Sequence, residues 1–529
     1  MNNKLISAIV CGALAGGCLS SCTDSFKDWN TNPNEVTGDE LMQDNLATGS
    51  NYSTMQRGVF TVGEVNGGTY QITQMLTGDL FAGYFANLKE AYNIGSIHLD
   101  HYYQVSHWYN MPFNEANTRI MEPFRQICTF AEEGSVDRAL ATVIRVFGMH
   151  RITDKYGPII YSHFGEGTQN RYDSQKDVYA SFFRELEEAI DILNDYIDQN
   201  PGKAYMASYD NVYGGDVNRW IRFANSLRLR LAMRVSYVDE ALAREQAAAA
   251  INQPKGLMSS TADDAYLKQG NGLTFTNSLW EVTQSWRDLG MSATADCYLN
   301  GYADPRLEKY YLKSEEGEYR GARNGVASVN SSVLQQKVSP ANFSQYSDQP
   351  WMKNAESWFL QAEAKLRFGI GSQSVKELYE AGVKASFASV GASGADSYLE
   401  SEATPLESWE NPQTGRSVSV SNMLSMVSPK FDETADTEKQ LEQIITQKWI
   451  ALYPDGQEAW SEIRRTGYPG WVRIESYANT NEVTDGDIIR RLRFPSTEYA
   501  DNAANMAEAV RLLEKGADNG GTHLWWDCK

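Results

Sequence analysis

Ser174-Gln175-Lys176-Asp177-Val178-Tyr179-Ala180-Ser181-Phe182 opens a stretch that runs on to Asn200-Pro201-Gly202. Its apolar residues fall at Val178, Phe182, Leu186, Ile190, Leu193 and Ile197, one stripe of a helix. Ser174 or Asp177 can accept a hydrogen bond from a free N–H of the first turn, and Asn200-Pro201-Gly202 stops the run. The same period stands upstream at Val136, Leu140, Val143, Ile144 and Phe147. Downstream, helices are predicted over Trp220 to Val235 and Ala241 to Ile251, the latter ending at Gln253-Pro254-Lys255-Gly256. Trp351 to Phe368 and Ser374 to Val390 make another pair, split by Gly369-Ile370-Gly371, and residues 438–453, 455–465 and 497–515 complete the set. Helix pairs on short turns, with Ala-rich faces such as Gln361-Ala362-Glu363-Ala364, predict a mainly α fold of tetratricopeptide-like helix pairs, although no strict repeat is visible. Strand-like alternation is scarce, with 417–421 and Arg493-Phe494-Pro495 as the candidates.

Between the helices lie long segments of little periodicity, near 52–115, 256–350 and 391–437. Inserts of that length in a compact protein tend to be functional. They are rich in aromatics, which argues against disorder. A single domain over 41–529 with three ligand-binding inserts is the expectation.

The N-terminus reads differently. Lys4 supplies a short positive region, and Leu5 to Leu19 is apolar or small apart from Ser7, too short to span a bilayer. Leu19-Ser20-Ser21-Cys22 then has the form of a lipoprotein cleavage site, in which the Cys22 thiol takes the lipid. Residues 1–21 are thus expected to be a signal peptide and 22–40 a lipidated tether to a membrane.

The chain carries 47 Lys and Arg against 68 Asp and Glu, a formal charge of −21, which argues against nucleic acid as a partner. Beyond Cys22, the cysteines Cys128, Cys297 and Cys528 form no CxxC or metal spacing, and three thiols cannot all pair within one chain. Cys128 and Cys297 read as small core residues.

Tyr84 to Phe113 holds eight aromatics in 30 residues, where the chain's 12% average would place about four. Sugar rings present apolar C–H faces and hydroxyl edges, so a glycan binder needs exposed aromatic plates beside polar groups. Tyr84 and Tyr102 are the candidate plates here because Gly83 and Asp100 place them in loop-like sequence, while Trp108 and Phe113 read as packing residues. A second group contains Trp280 and Trp286, the latter followed by Arg287, whose planar fork of donors suits ring hydroxyls. Tyr346 and Trp351 form a weaker third group. His98, Asp100, His101 and His107 cluster, but their spacing fits no metal motif; His101 is kept as a ligand-binding candidate and no metal is expected. Asp485-Gly486-Asp487 reads as a solvated loop.

Catalytic signatures are absent: the sequence has no GxSxG elbow, no phosphate-binding loop and no dinucleotide fingerprint. No cofactor is implied, and no enzyme is expected. A glycosidase would need two facing carboxylates, and nothing marks such a pair.

Several segments taken together resemble the SusD/RagB family, in its SusD-like branch. Phe26 to Asn34 contains Asn30-Thr31-Asn32-Pro33-Asn34, similar to the family's opening turn, and Ile152 to Gly157 resembles its T-D-x-Y-G element. Trp220 to Arg230 matches its W-x-x-F-A-N-S-L-x-L-R helix, and Ala303 to Leu307 its D-P-R segment. Ala355 to Ala364, Gln447 to Leu452, Gln457 to Trp460, Arg464 to Pro469, Arg491 to Glu498 and Leu524 to Asp527 continue the likeness in order. Gly157 to Tyr161 departs from it, since the family usually has proline just before the tyrosine. These motifs are scaffold, so they transfer no binding residues. The resemblance implies four tetratricopeptide-like pairs in a non-enzymatic lipoprotein of the outer membrane. It also implies a glycan ligand and a SusC-like TonB-dependent transporter as partner. A peptide-binding lid is the alternative, with a glycoside hydrolase behind it.

Overall fold

Capping decides where the helices begin. Ser135, Ser174, Asp216, Asp239, Ser374, Asp436 and Asp455 each accept a hydrogen bond from a backbone N–H of the first turn. The helices so started are α1 (Val136–Tyr156), α2 (Gln175–Gln199), α3 (Val217–Arg234) and α4 (Glu240–Ile251). They are followed by α5 (Asn354–Phe368), which begins without a side-chain cap, α6 (Val375–Ser389), α7 (Thr437–Leu452) and α8 (Gly456–Thr466). Successive helices pack in pairs, as the periodicity predicts, and the pairs number four, as the family resemblance implies. The α2 stripe is buried throughout, from Val178 to Ile197. The Ala-rich face predicted on α5 is real, with Ala362 and Ala364 fully buried, and Gly382 of α6 lets the Phe359 ring approach its backbone.

The computed structural model describes residues 45–62, 67–93, 99–478 and 482–529. The expected signal peptide, Cys22, the tether over 22–40 and His98 lie outside the described residues. Thr48–Lys529 form one compact unit. Among the described residues no helix is long and apolar enough to cross a membrane.

Charge is built into the scaffold rather than kept at its surface. Arg230 of α3 pairs with Glu356 of α5 at 2.6 Å, and Arg234 reaches Glu458 and Glu462 of α8. Arg465 of α8 binds Glu363 at 2.7 Å and Glu462 at 2.6 Å, and Lys448 of α7 meets Glu462 at 3.0 Å. All of these side chains are buried. Burial alone would raise the Glu462 carboxyl, but Arg465, Lys448 and Arg234 outweigh it and hold it well below the usual carboxylate range.

Three two-stranded antiparallel sheets belong to the inserts. β1 (Phe85–Asn87) pairs with β3 (Leu289–Met291), β2 (Ala265–Leu267) with β4 (Gln349–Met352), and β5 (Ser408–Glu410) with β6 (Ser417–Ser419). The β1–β3 pairing sets Phe85 opposite Met291 and Asn87 opposite Leu289, joining the first insert to the second.

Several sequence expectations shift. The first insert is not irregular throughout: it contains the end of a helix at Leu46–Gly58, a π-helical run at Gln71–Asp79 and the helix Ser106–Ala116. Gln71–Asp79 is buried on nearly every side, so no apolar stripe marks it in the sequence. Trp351 lies in β4 rather than at a helix start, and α5 begins at Asn354. The predicted helix over 497–515 is two short ones, Ser496–Asp501 and Ala503–Arg511, parted at Asn502. Residues 417–419 form a strand, as expected, while Arg493-Phe494-Pro495 do not. Cys297 is buried, Cys128 half-buried and Cys528 exposed, all three as free thiols.

Candidate functional site

Asn277 organises the aromatic part of the second insert. Its side chain caps the turn Ser278–Trp280 by accepting from the Trp280 N–H at 3.2 Å. Its own N–H donates to the Gln345 carbonyl at 2.8 Å, and its amide donates to the Ser347 carbonyl at 3.2 Å. The chain continues as a π-helical turn, Glu281–Ser285, from which the Gln284 amide donates to the carbonyls of Ala341 and Phe343. The loop carrying Tyr346 is therefore tied by four hydrogen bonds to the turn carrying Trp280. Tyr346 is 72% exposed, which makes it the most open large aromatic among the described residues. Trp280 and Trp286 are half-buried, and Trp286 packs in part against the core edge.

The first insert meets this surface through β1. Beyond the strand, the Leu88 N–H donates to the Asp288 carbonyl at 2.9 Å. Lys89 pairs with the Asp288 carboxylate at 2.8 Å and donates to the Trp286 carbonyl at 3.3 Å, while Gln71 donates to Asp288 at 3.0 Å. The two aromatic-rich inserts are thus packed against each other through buried contacts.

The side chains expected there from the first insert are elsewhere. Tyr84 is 2% exposed: its hydroxyl donates to the Trp449 carbonyl of α7, and its ring lies 5.0 Å from Trp449 and 5.3 Å from Tyr453. Tyr102, equally buried, sits edge-on to Phe81 and Tyr477. His101 is buried against Ser476, its Nδ1 3.1 Å from the carbonyl and 3.0 Å from the hydroxyl. An enclosed ring offers no face to a sugar, so the glycine and aspartate beside these residues signal a sharp chain path, not exposure. Tyr102 confirms that path with a φ of +62°. Trp108 and Phe113 pack as expected, Phe113 fully. Arg287 is at the surface, but its guanidinium donates to Glu315 and to the Gln335 carbonyl, so its donors are engaged within the protein.

Beside the Tyr346 loop opens a cleft of about 510 Å³. Tyr266, Tyr310 and Phe343 supply its aromatic walls, and Lys309, Lys353 and Asp348 its charges. Lys353 precedes α5 and Tyr453 follows α7, so the scaffold forms one wall and the second insert the other. Sequence reasoning missed these residues. No local pattern marks a wall whose members lie as far apart as Tyr266 and Tyr453. The lining contains one carboxylate, Asp348, where hydrolysis of a glycosidic bond requires two.

Comparisons with known proteins agree over the full described chain. The family model described as SusD-like, the SusD and RagB outer membrane lipoproteins, matches residues 28–527. A chitin-binding SusD homologue from Flavobacterium johnsoniae superposes with a TM-score of 0.86 at 34% identity, covering 91% of this chain and 99% of that one. A SusD homologue from Bacteroides vulgatus gives 0.84 at 34% identity over 90% and 97% of the two chains. One from Bacteroides thetaiotaomicron gives 0.83 at 35% identity over 91% and 99%. The comparison with curated proteins gave no match.

Proposed function

Because this chain belongs to the SusD-like family of outer membrane lipoproteins, we propose that it captures glycan at the cell surface and delivers it to a SusC-like TonB-dependent transporter. The observation that carries this reading is the aromatic surface of the second insert. There Trp280 and Trp286 offer partly open rings and Tyr346 a largely open one, and the Tyr346 loop borders a cleft of small-ligand size. The chitin-binding neighbour with the same fold supports a saccharide ligand. A lining with a single carboxylate supports binding without hydrolysis.

The decisive experiment is a glycan array, chitin oligosaccharides included, probed with residues 23–529 and with its Trp280→Ala variant. Saccharide binding weakened by the substitution supports the reading; binding of peptides and of no saccharide would replace it with a peptide-binding lid.

The anchor and partner belong to the same proposal. Cys22 carries the lipid, and Cys22→Ala abolishes lipid labelling and releases the protein from the membrane fraction. A lasting lid on a transporter needs a large interface, above roughly 2,000 Å². Protein solubilised in mild detergent should therefore co-purify with a much larger membrane partner.

A further inference from the structure

The cleft beside the Tyr346 loop holds a feature that neutral sugar stacking leaves unused. Lys353 is 9% exposed, donates to the Tyr453 carbonyl at 2.6 Å and lies 5.9 Å from the Tyr310 ring centroid. Among the described residues, no carboxylate lies within ion-pair distance of its ammonium group. A buried charge without a counter-ion is costly, and burial accordingly pushes this lysine down to about 8, with Asp264 offsetting only part of that cost. Lys309 adds a second ammonium at the rim, where it meets Glu308 at 3.2 Å. Asp348, the one lining carboxylate, accepts from the Gln269 N–H at 3.3 Å. In a chain of formal charge −21, the lining of this aromatic-walled cleft sets two lysines against one carboxylate.

We infer that this cleft is a subsite for an acidic sugar: a uronic acid residue of the glycan, its carboxylate against Lys353 and Lys309 and its ring against Tyr266, Tyr310 and Phe343. The inference rests on the glycan reading above and names the class of saccharide. A carboxylate supplies the counter-ion to an ammonium whose partner in the fold is a neutral carbonyl, that of Tyr453. A neutral sugar leaves it without a counter-ion, and a buried charge left uncompensated is what gives a site its selectivity.

The test is calorimetric titration of the mature protein with homo-oligomers of galacturonate and of glucuronate, each against its methyl ester of equal length. The free acid of one series should bind at least tenfold more tightly than its ester, with a preference that weakens as salt is added. Lys353→Met should remove that preference, and Lys309→Met, at the rim and safe for folding, should reduce it. Trp280→Ala should weaken acid and ester alike. Equal binding of acid and ester overturns the inference, as does a preference that both lysine variants retain. Should Lys353→Met fail to fold, the acid-to-ester ratio of the wild type and of Lys309→Met decides the matter. Binding of chitin oligosaccharides without any response to uronates sinks the acidic subsite alone; no binding of any saccharide sinks the glycan reading with it.

Discussion

In the helical scaffold Arg465 reaches Glu363 and Glu462 at 2.7 and 2.6 Å, whereas at the cleft Lys353 is almost as deeply buried and turns to a backbone carbonyl. The aromatic residues divide in the same way. Tyr84, Trp449 and Tyr453 close on one another inside the protein, while Tyr346 stands open on a loop anchored through the carbonyls of its neighbours. The contrast teaches how to tell stability from recognition in one chain. Where a charge or ring has found its complement internally, removing it damages the fold. Where the complement is missing, our proposal is that a ligand supplies it.

The strongest way to break this comparison lies in the scaffold. Arg465→Met leaves two buried carboxylates without their guanidinium, so it should destabilise the protein by about 3–5 kcal/mol. Urea unfolding measures the loss, and a midpoint unchanged from wild type would show that the network is not needed for stability.

Acid should find the same network. Burial tends to raise the carboxyls of Glu363, Glu458 and Glu462, but the cations facing them win and hold all three below their ordinary value of about 4.5. Groups depressed by folding contribute stability that is present above that value and lost as pH falls beneath it. Asp296, pushed up to about 6 by burial, works the other way, and its contribution fades as pH rises through 6. Melting temperature followed from pH 7 to 3 should therefore drop steeply only below about 4.5. Arg465→Met should flatten that acid limb.

At the insert face the order of effects reverses. Trp280→Ala should weaken glycan binding by roughly 1–3 kcal/mol, the scale of losing a stacked aromatic, while leaving the melting temperature close to wild type. A sharp fall in melting temperature with affinity intact would move Trp280 to the structural side of the comparison. Tyr346→Ala should cost less, about 0.5–1.5 kcal/mol of affinity, and no measurable stability, because a ring so open contributes little to the core. Circular dichroism melts beside the titrations separate the two readouts.

How much was legible in the sequence follows the range of the forces involved. The stripe from Val178 to Ile197, the Ser174 cap and the stop at Asn200 are local, since each depends on neighbours within four residues, and the structure reproduces them. The same holds for the pairing of α3 with α4 and of α5 with α6, whose short turns bring each pair together. Exposure is not local. Gly83-Tyr84 and Asp100-His101-Tyr102 read as loop; the first is a bend and the second leaves a short 3-10 turn at Leu99–His101, and Trp449 and Tyr477 arrive from more than 360 residues away to cover the tyrosine rings. Likewise, nothing adjacent to Lys353 in the chain says that its ammonium will share a cleft with Tyr266 and Tyr453. The helices were determined by hydrogen bonds within a turn; the buried tyrosines and the charged cleft were decided only when distant segments closed on one another, because burial is a property of the whole packed chain.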